Sequence, residues 1–122
     1  MNRLALLAIA LFPIGVVALE RAQTEDSLRG FLVAALQSTD GRSGGVLTGR
    51  VPTLMASMFS TSAPLRVDVS TLRKYSEPGC ARLNVKFSQA AVVETKDATP
   101  ADRVFAVQMN YCLDGRPPKR LN

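Results

Sequence analysis

Few of the side chains in this sequence are of the types that carry out catalysis. The 122-residue chain contains no His, so the commonest general base and the commonest metal ligand are both missing. A serine nucleophile would then depend on a lysine base, but no Ser-x-x-Lys sequence occurs. Asp68 and Glu94 could face the same side of a sheet, but so short a chain has hardly any room for a cleft between two catalytic carboxylates. The sequence therefore predicts a protein with no enzymatic activity and no bound cofactor or metal.

A glycine-rich stretch has the spacing of a phosphate-binding loop. Gly44 and Gly49 are separated by four residues, as in G-x-x-x-x-G-K-[ST], but Arg50 and Val51 stand where Lys and Ser or Thr are required. A helix, not a strand, is predicted to precede the stretch. We therefore interpret it as a flexible linker.

The two cysteines, Cys80 and Cys112, give the strongest chemical signal. In an antiparallel hairpin the residue numbers of paired residues have a constant sum, so these two would pair in a hairpin that turns around residue 96. Paired residues of antiparallel strands are close enough for a disulfide. A redox-active pair would instead be Cys-x-x-Cys at a helix N-terminus. The sequence predicts a structural Cys80–Cys112 disulfide.

The hydrophobic pattern indicates which elements hold these residues. Apolar residues at i, i+3, i+4, i+7 and i+8 predict a helix over residues 24–38, with Thr24 as its N-cap. Pro52 could begin a second short helix, with Leu54, Met55, Met58 and Phe59 on one face. From Pro64 onward the apolar residues alternate with polar ones, which predicts three antiparallel strands. The fold class is therefore α+β, with one or two helices packed on a three-stranded antiparallel β-meander. The alternating apolar residues are Leu65, Val67, Val69; Leu83, Val85, Phe87; and Phe105, Val107, Met109, Tyr111.

The N-terminus indicates export. A basic start with Arg3 precedes an uncharged, apolar segment, residues 4–19, which is shorter than the ~20 residues of a membrane-spanning helix. Val16 and Ala18 suit a signal-peptidase site. We expect residues 1–18 to be a cleaved signal peptide and residues 19–122 to be one small domain that is periplasmic or secreted, without stable membrane insertion. A retained N-terminal anchor is the alternative.

Basic residues dominate the charge, with fifteen Lys and Arg against ten Asp and Glu. Three of them alternate onto the polar face of the predicted sheet, and three follow the last strand as a basic tail. The sheet aromatics fall on the other face, so the stacking surface of a single-strand nucleic-acid binder is missing. We therefore expect another protein, and no nucleic acid, to be the partner. The expected interaction surface consists of Arg66, Arg82, Lys86, Arg116, Lys119 and Arg120.

Two C-terminal segments resemble small exported proteins encoded among the conjugative-transfer and type IV secretion genes of Gram-negative bacteria. The first runs Gly79-Cys80-Ala81-Arg82-Leu83-Asn84-Val85, with Gln89 after it; the second runs Asn110-Tyr111-Cys112-Leu113-Asp114-Gly115-Arg116-Pro117-Pro118. The resemblance implies a non-enzymatic accessory component that binds another protein of the bacterial cell envelope. A periplasmic inhibitor or immunity protein is the alternative.

Overall fold

The computed structural model of the chain describes residues 23–122. The predicted signal peptide and its cleavage site lie outside the described residues. Within these residues two helices and five strands follow one another, and neither helix is long and apolar enough to cross a membrane. The elements are β1 (Gln23–Glu25), α1 (Leu28–Gln37), β2 (Arg42–Leu47), α2 (Arg50–Met58), β3 (Leu65–Lys74), β4 (Cys80–Val92) and β5 (Ala101–Cys112).

All five strands belong to one sheet in the order β1-β2-β3-β4-β5. Strands β2 to β5 are antiparallel neighbours, and β1 pairs in parallel with β2. The α+β class and the three predicted strands are confirmed, but the predicted strand number was too low. The chain also forms β2 and β1, on the far side of β3 from β4.

The glycine-rich stretch is strand β2, so its interpretation as a linker was wrong. Gly44 lies opposite Asp68 of β3, and a Cβ at Gly44 would come within 2.9 Å of the Asp68 Oδ1 atom and 3.1 Å of the Val67 carbonyl oxygen. Glycine is favoured here because a side chain would have to displace the Asp68 carboxylate and press on the Val67 carbonyl. Such a strand has none of the alternation by which strands are recognised in a sequence.

The first helix starts later than predicted. Residues 23–25 are extended because they pair with residues 45–47 of β2, so α1 begins at Leu28 and Ser27 takes the N-cap position without a side-chain cap hydrogen bond. The predicted apolar stripe is nevertheless correct. Phe31, Leu32 and Ala35 are buried against the sheet, and Phe31 is completely inaccessible to solvent. The sheet residues of this core are Val67, Val69, Ala81, Leu83 and Val85.

Helix α2 confirms the second predicted helix, but less of its apolar surface is packed than expected. The predicted face contained Leu54, Met55, Met58 and Phe59; Met55 and Phe59 are half-buried, whereas Leu54 and Met58 are 58% and 66% exposed. The helix lies at the margin of the sheet, where the Phe59 carbonyl accepts a hydrogen bond from the Val93 N–H (2.9 Å). An apolar depression separates it from the hairpin. Its apolar lining is Met55, Phe59, Leu65, Phe87, Val92 and Phe105.

The β4–β5 hairpin has the register that the cysteine positions predicted. Cys80 is paired with Cys112 and bonded to it, which confirms the disulfide. The same register continues without interruption to the pair of Gln89 and Arg103, after which a bulge shifts it.

The segment after Cys112 is attached to the domain, whereas the sequence predicted a basic tail after the last strand. The Ser76 N–H donates to the Asn122 carbonyl (2.8 Å), and the Lys119 N–H donates to Glu77 Oε2 (2.8 Å). These bonds hold residues 113–122 against the β3–β4 turn.

Candidate functional site

Three of the six predicted site residues lie on one face of the sheet. Directly paired residues point to the same side of a sheet, and Arg66 is opposite Ser88 while Lys86 is opposite Asp68. Because Arg82, Lys86 and Ser88 alternate along β4, all three cations share this face. We call it the basic face.

Two further cations on the basic face were not predicted. Arg42 of β2 lies opposite Ser70, and Ser70 lies opposite Asn84, so the unrecognised strand brings an arginine into the site. Arg73 reaches the same face through a bulge between Thr71 and Arg73, which places it opposite Arg82. Strict alternation from Arg66 would have put Arg73 on the apolar side. Nothing in the sequence of β3 marks the bulge, so no signal was available for Arg73.

The basic face carries a large excess of positive charge. Among its paired residues in β2, β3 and β4, Asp68 is the single carboxylate, and five side chains are cationic. Within residues 23–122, ion-pair geometry is found between Arg103 and Glu94, and in none of the five cations of this face. Their charge is therefore available to a partner. The five are Arg42, Arg66, Arg73, Arg82 and Lys86.

A shallow groove crosses the middle of the basic face. Arg42 and Lys86 line it, together with the polar groups of Ser70 and Asn84. Asp68 is also part of its lining. The groove thus offers cations together with hydroxyl and amide groups that can donate or accept hydrogen bonds.

Arg82 is held in one orientation by neutral acceptors. Its Nε atom donates to Gln108 Oε1 (3.1 Å) and its Nη1 atom to Asn110 Oδ1 (3.1 Å). The Tyr75 hydroxyl donates to the same Asn110 oxygen (2.7 Å), and the Arg73 guanidinium lies 5.6 Å from the centre of the Tyr75 ring. Amide acceptors fix the position of Arg82 without neutralising its charge.

The other three predicted site residues lie elsewhere. Arg116, Lys119 and Arg120 are exposed, and their segment is bonded to the β3–β4 turn at the disulfide end of the sheet. Arg66 is near the opposite end of β3. Arg66, Arg82 and Lys86 therefore belong to the sheet, whereas Arg116, Lys119 and Arg120 belong to a segment outside it. That segment lies at the same end of the sheet as Arg82.

One further cluster contains potential metal ligands. Glu77, Cys80 and Cys112 place their ligand atoms within 4.8 Å of one another. Both sulfur atoms are consumed by the disulfide, and a metal would need them as thiolates. The cluster stabilises the hairpin and is not a metal centre in its oxidised form.

Among the acidic side chains that the structure describes, Asp40 has a clearly shifted pKa. Its Oδ1 atom accepts a hydrogen bond from the Arg42 N–H (3.0 Å). This bond, followed by one from the Ser38 side chain, lowers the pKa of the Asp40 carboxyl below its ordinary value. The carboxylate thereby fixes the turn that leads into β2 and Arg42.

Comparisons with protein-family models, with curated proteins and with solved structures gave no match. Function is therefore inferred from the charge and geometry of the residues described above.

Proposed function

We propose that this protein is an exported, non-enzymatic binding protein of the bacterial cell envelope, and that its basic face binds an acidic surface of another envelope protein. The resemblance of its C-terminal segments to exported accessory proteins favours a role in conjugative transfer or type IV secretion. The observation that carries the proposal is the set of five cations on one sheet face without carboxylate partners.

Complementary charge explains how such a face would recognise its partner. A cationic surface steers an acidic protein toward the correct encounter and excludes basic competitors. Arginine, four of the five cations, is enriched at protein interfaces. Because Gln108 and Asn110 already orient Arg82, binding there loses less side-chain entropy than binding to a free arginine.

The positions of the aromatic side chains favour a protein over a nucleic acid. Phe87, Phe105 and Tyr111 are paired with residues of the apolar face. Tyr75 does lie beside the basic face, but its hydroxyl is bonded to Asn110 and Arg73 covers its ring. A series of exposed rings on which successive bases could stack is not formed by the described residues.

Charge reversal with a matched control tests the proposal. The full-length gene is expressed in a Gram-negative host, and envelope extracts are used to capture partners with wild type, with Arg82→Glu/Lys86→Glu, and with Arg50→Glu/Lys96→Glu. The control pair has the same change in net charge but lies outside the basic face. We expect the face variant to lose its acidic partner and the control to retain it.

Equal capture by all three proteins would refute the basic face as the binding surface. Equal loss in both variants would mean that only net charge matters. Binding to single-stranded DNA with a steep salt dependence, lost in the face variant alone, would replace the protein partner with a nucleic acid.

A further inference from the structure

Strand β5 is an outer strand of the sheet, and within the described residues its edge from Val104 onward has none of the usual protection. Natural edge strands are short, or carry charges, prolines or bulges that prevent pairing with another chain. β5 is twelve residues long, and residues 104–112 contain no charged residue and no proline. The bulge of the hairpin lies beyond Arg103. β1, at the other edge, is three residues long as described.

Several exposed side chains of β5 are also apolar. Phe105 and Val107, on the apolar face, are 53% and 43% exposed, and Val104, opposite Ser88 on the other face, is 62% exposed. Phe105 stacks on Phe87 with ring centroids 4.8 Å apart, and Val107 is paired with the buried Val85. The apolar face of the sheet therefore continues onto β5, beyond the part that α1 covers.

The backbone groups that are free for pairing can be identified from the cysteine pair. The Cys80 carbonyl accepts from the Tyr75 N–H on the β3 side (3.1 Å), and the Cys112 N–H donates to the Arg116 carbonyl (3.2 Å). Cys80 bonds on the β3 side, so Cys80 and Cys112 form a non-hydrogen-bonded pair. The N–H and carbonyl of Cys112 therefore point away from β4. The side on which a residue places its N–H and carbonyl alternates along a strand with unbroken register. In β5 the residues whose N–H and carbonyl face away from β4, called outward-facing here, are therefore the even-numbered ones. They are Asp102, Val104, Ala106, Gln108 and Asn110.

We propose that the protein forms a dimer in which β5 pairs antiparallel with β5 of a second copy, with the twofold axis at Ala106. In this register Ala106 is opposite its own copy, Val104 is opposite Gln108, and Asp102 is opposite Asn110. All five outward-facing residues then have partners, which gives a ladder of about ten hydrogen bonds. The two copies join into one ten-stranded sheet.

The neighbouring registers of β5 against β5 give hydrogen-bond partners to fewer backbone N–H and carbonyl groups. A twofold axis at Phe105 places Asn110 opposite Pro100, which has no N–H to donate. An axis at Val107 places Asp102 opposite Cys112, whose N–H and carbonyl already bond to Arg116 and Gly115. The axis at Ala106 avoids both losses.

A second copy fits this edge because the strand is self-complementary. Asp102 meets an amide and Arg103 meets Met109, so no like charges face each other across the axis. On the apolar face Phe105 packs against Val107 of the other copy, in the closer, non-hydrogen-bonded type of pair. The four exposed apolar side chains of two chains are thereby buried at the axis.

Site-directed crosslinking tests the register. The full-length gene is expressed with Ala106→Cys and, as the matched control, with Val104→Cys on the same strand and the same face. Residue 106 would lie opposite itself, at a Cα separation that a disulfide accepts, whereas residue 104 would be about 14 Å from its copy. We expect an intermolecular disulfide from Ala106→Cys and little from Val104→Cys, with Cys80–Cys112 intact by peptide mapping.

Sedimentation equilibrium tests the dimer itself. We expect wild type to dimerise and Val107→Lys to weaken dimerisation roughly tenfold or more, because a lysine would face Phe105 at the axis. Leu121→Lys, at an exposed position away from β5, should leave the dimer unchanged, and circular dichroism checks that both variants fold. A monomeric wild type at the highest soluble concentration, equal crosslinking of both cysteine variants, or a Val107→Lys protein that dimerises like wild type would overturn the proposal.

Discussion

Removing the disulfide should cost this small domain a large part of its stability. Cys80 and Cys112 are separated by 32 positions, and closing a loop of that length lowers the entropy of the unfolded chain by an amount equal to about 3.7 kcal/mol at 25 °C. Both cysteines are buried, so a Cys80→Ala/Cys112→Ala variant also loses side-chain packing. A domain of this size has a total free energy of unfolding of roughly 5–15 kcal/mol. We expect a loss of about 3–5 kcal/mol.

Urea denaturation of wild type, oxidised and reduced, and of the double variant measures this loss. If the bond acts mainly on the unfolded chain, the reduced wild type and the double variant should lose similar amounts of unfolding free energy. The slope of that free energy against urea concentration should also rise, because an unfolded chain without the bridge exposes more surface. A loss below about 1 kcal/mol in both proteins would refute the loop-entropy reasoning. It would show that the reduced, unfolded hairpin already holds its ends together.

Three substitutions test other parts of the fold. Phe31→Ala should destabilise by about 3–5 kcal/mol because it empties the centre of the core, and a thermal shift smaller than that of an exposed Leu54→Ala change would contradict the packing. Gly44→Ala should cost about 1–3 kcal/mol, since its Cβ would lie 3.1 Å from the Val67 carbonyl oxygen and 2.9 Å from Asp68 Oδ1; partial rescue by Asp68→Ala identifies the contribution of the side-chain contact. The lowered pKa of Asp40 means that its contribution to stability is present above the ordinary carboxyl pKa and is lost as pH falls through the folded pKa. Asp40→Asn should therefore flatten the acid side of the pH–stability curve, and an unchanged curve would exclude this contribution.

The β4–β5 hairpin and strand β3 could be predicted because apolar and polar residues alternate along each of these strands. Val67, Leu83 and Phe105 mark apolar faces that alternate cleanly, and the cysteine pair fixes the register of β4 against β5. β1 and β2 could not be predicted in the same way. Gly44 and its neighbours form a strand because β3 lies close beside them, and no local pattern encodes that proximity.

The basic face was predictable only where alternation was regular. Arg66, Arg82 and Lys86 follow the period of two, so their common face could be deduced before the fold was known. Arg42 belonged to an unrecognised strand, and the bulge before Arg73 reversed the side on which it lies. A bulge depends on how two strands fit together, so the sequence of one strand does not reveal it.

The Cys80–Cys112 bond also determines how a mechanical load would travel through the protein. Tension applied to the chain beyond Cys112 passes through the sulfur bridge into β4 at Cys80, so residues 81–111 bear no load and cannot be extended. With 32 residue steps inside the bridge, a fully stretched oxidised chain is about 110 Å shorter than a reduced one. A chain attached at both ends would therefore gain that length when the bond is reduced, and β1 to β3 are the strands that yield first while the bond is intact.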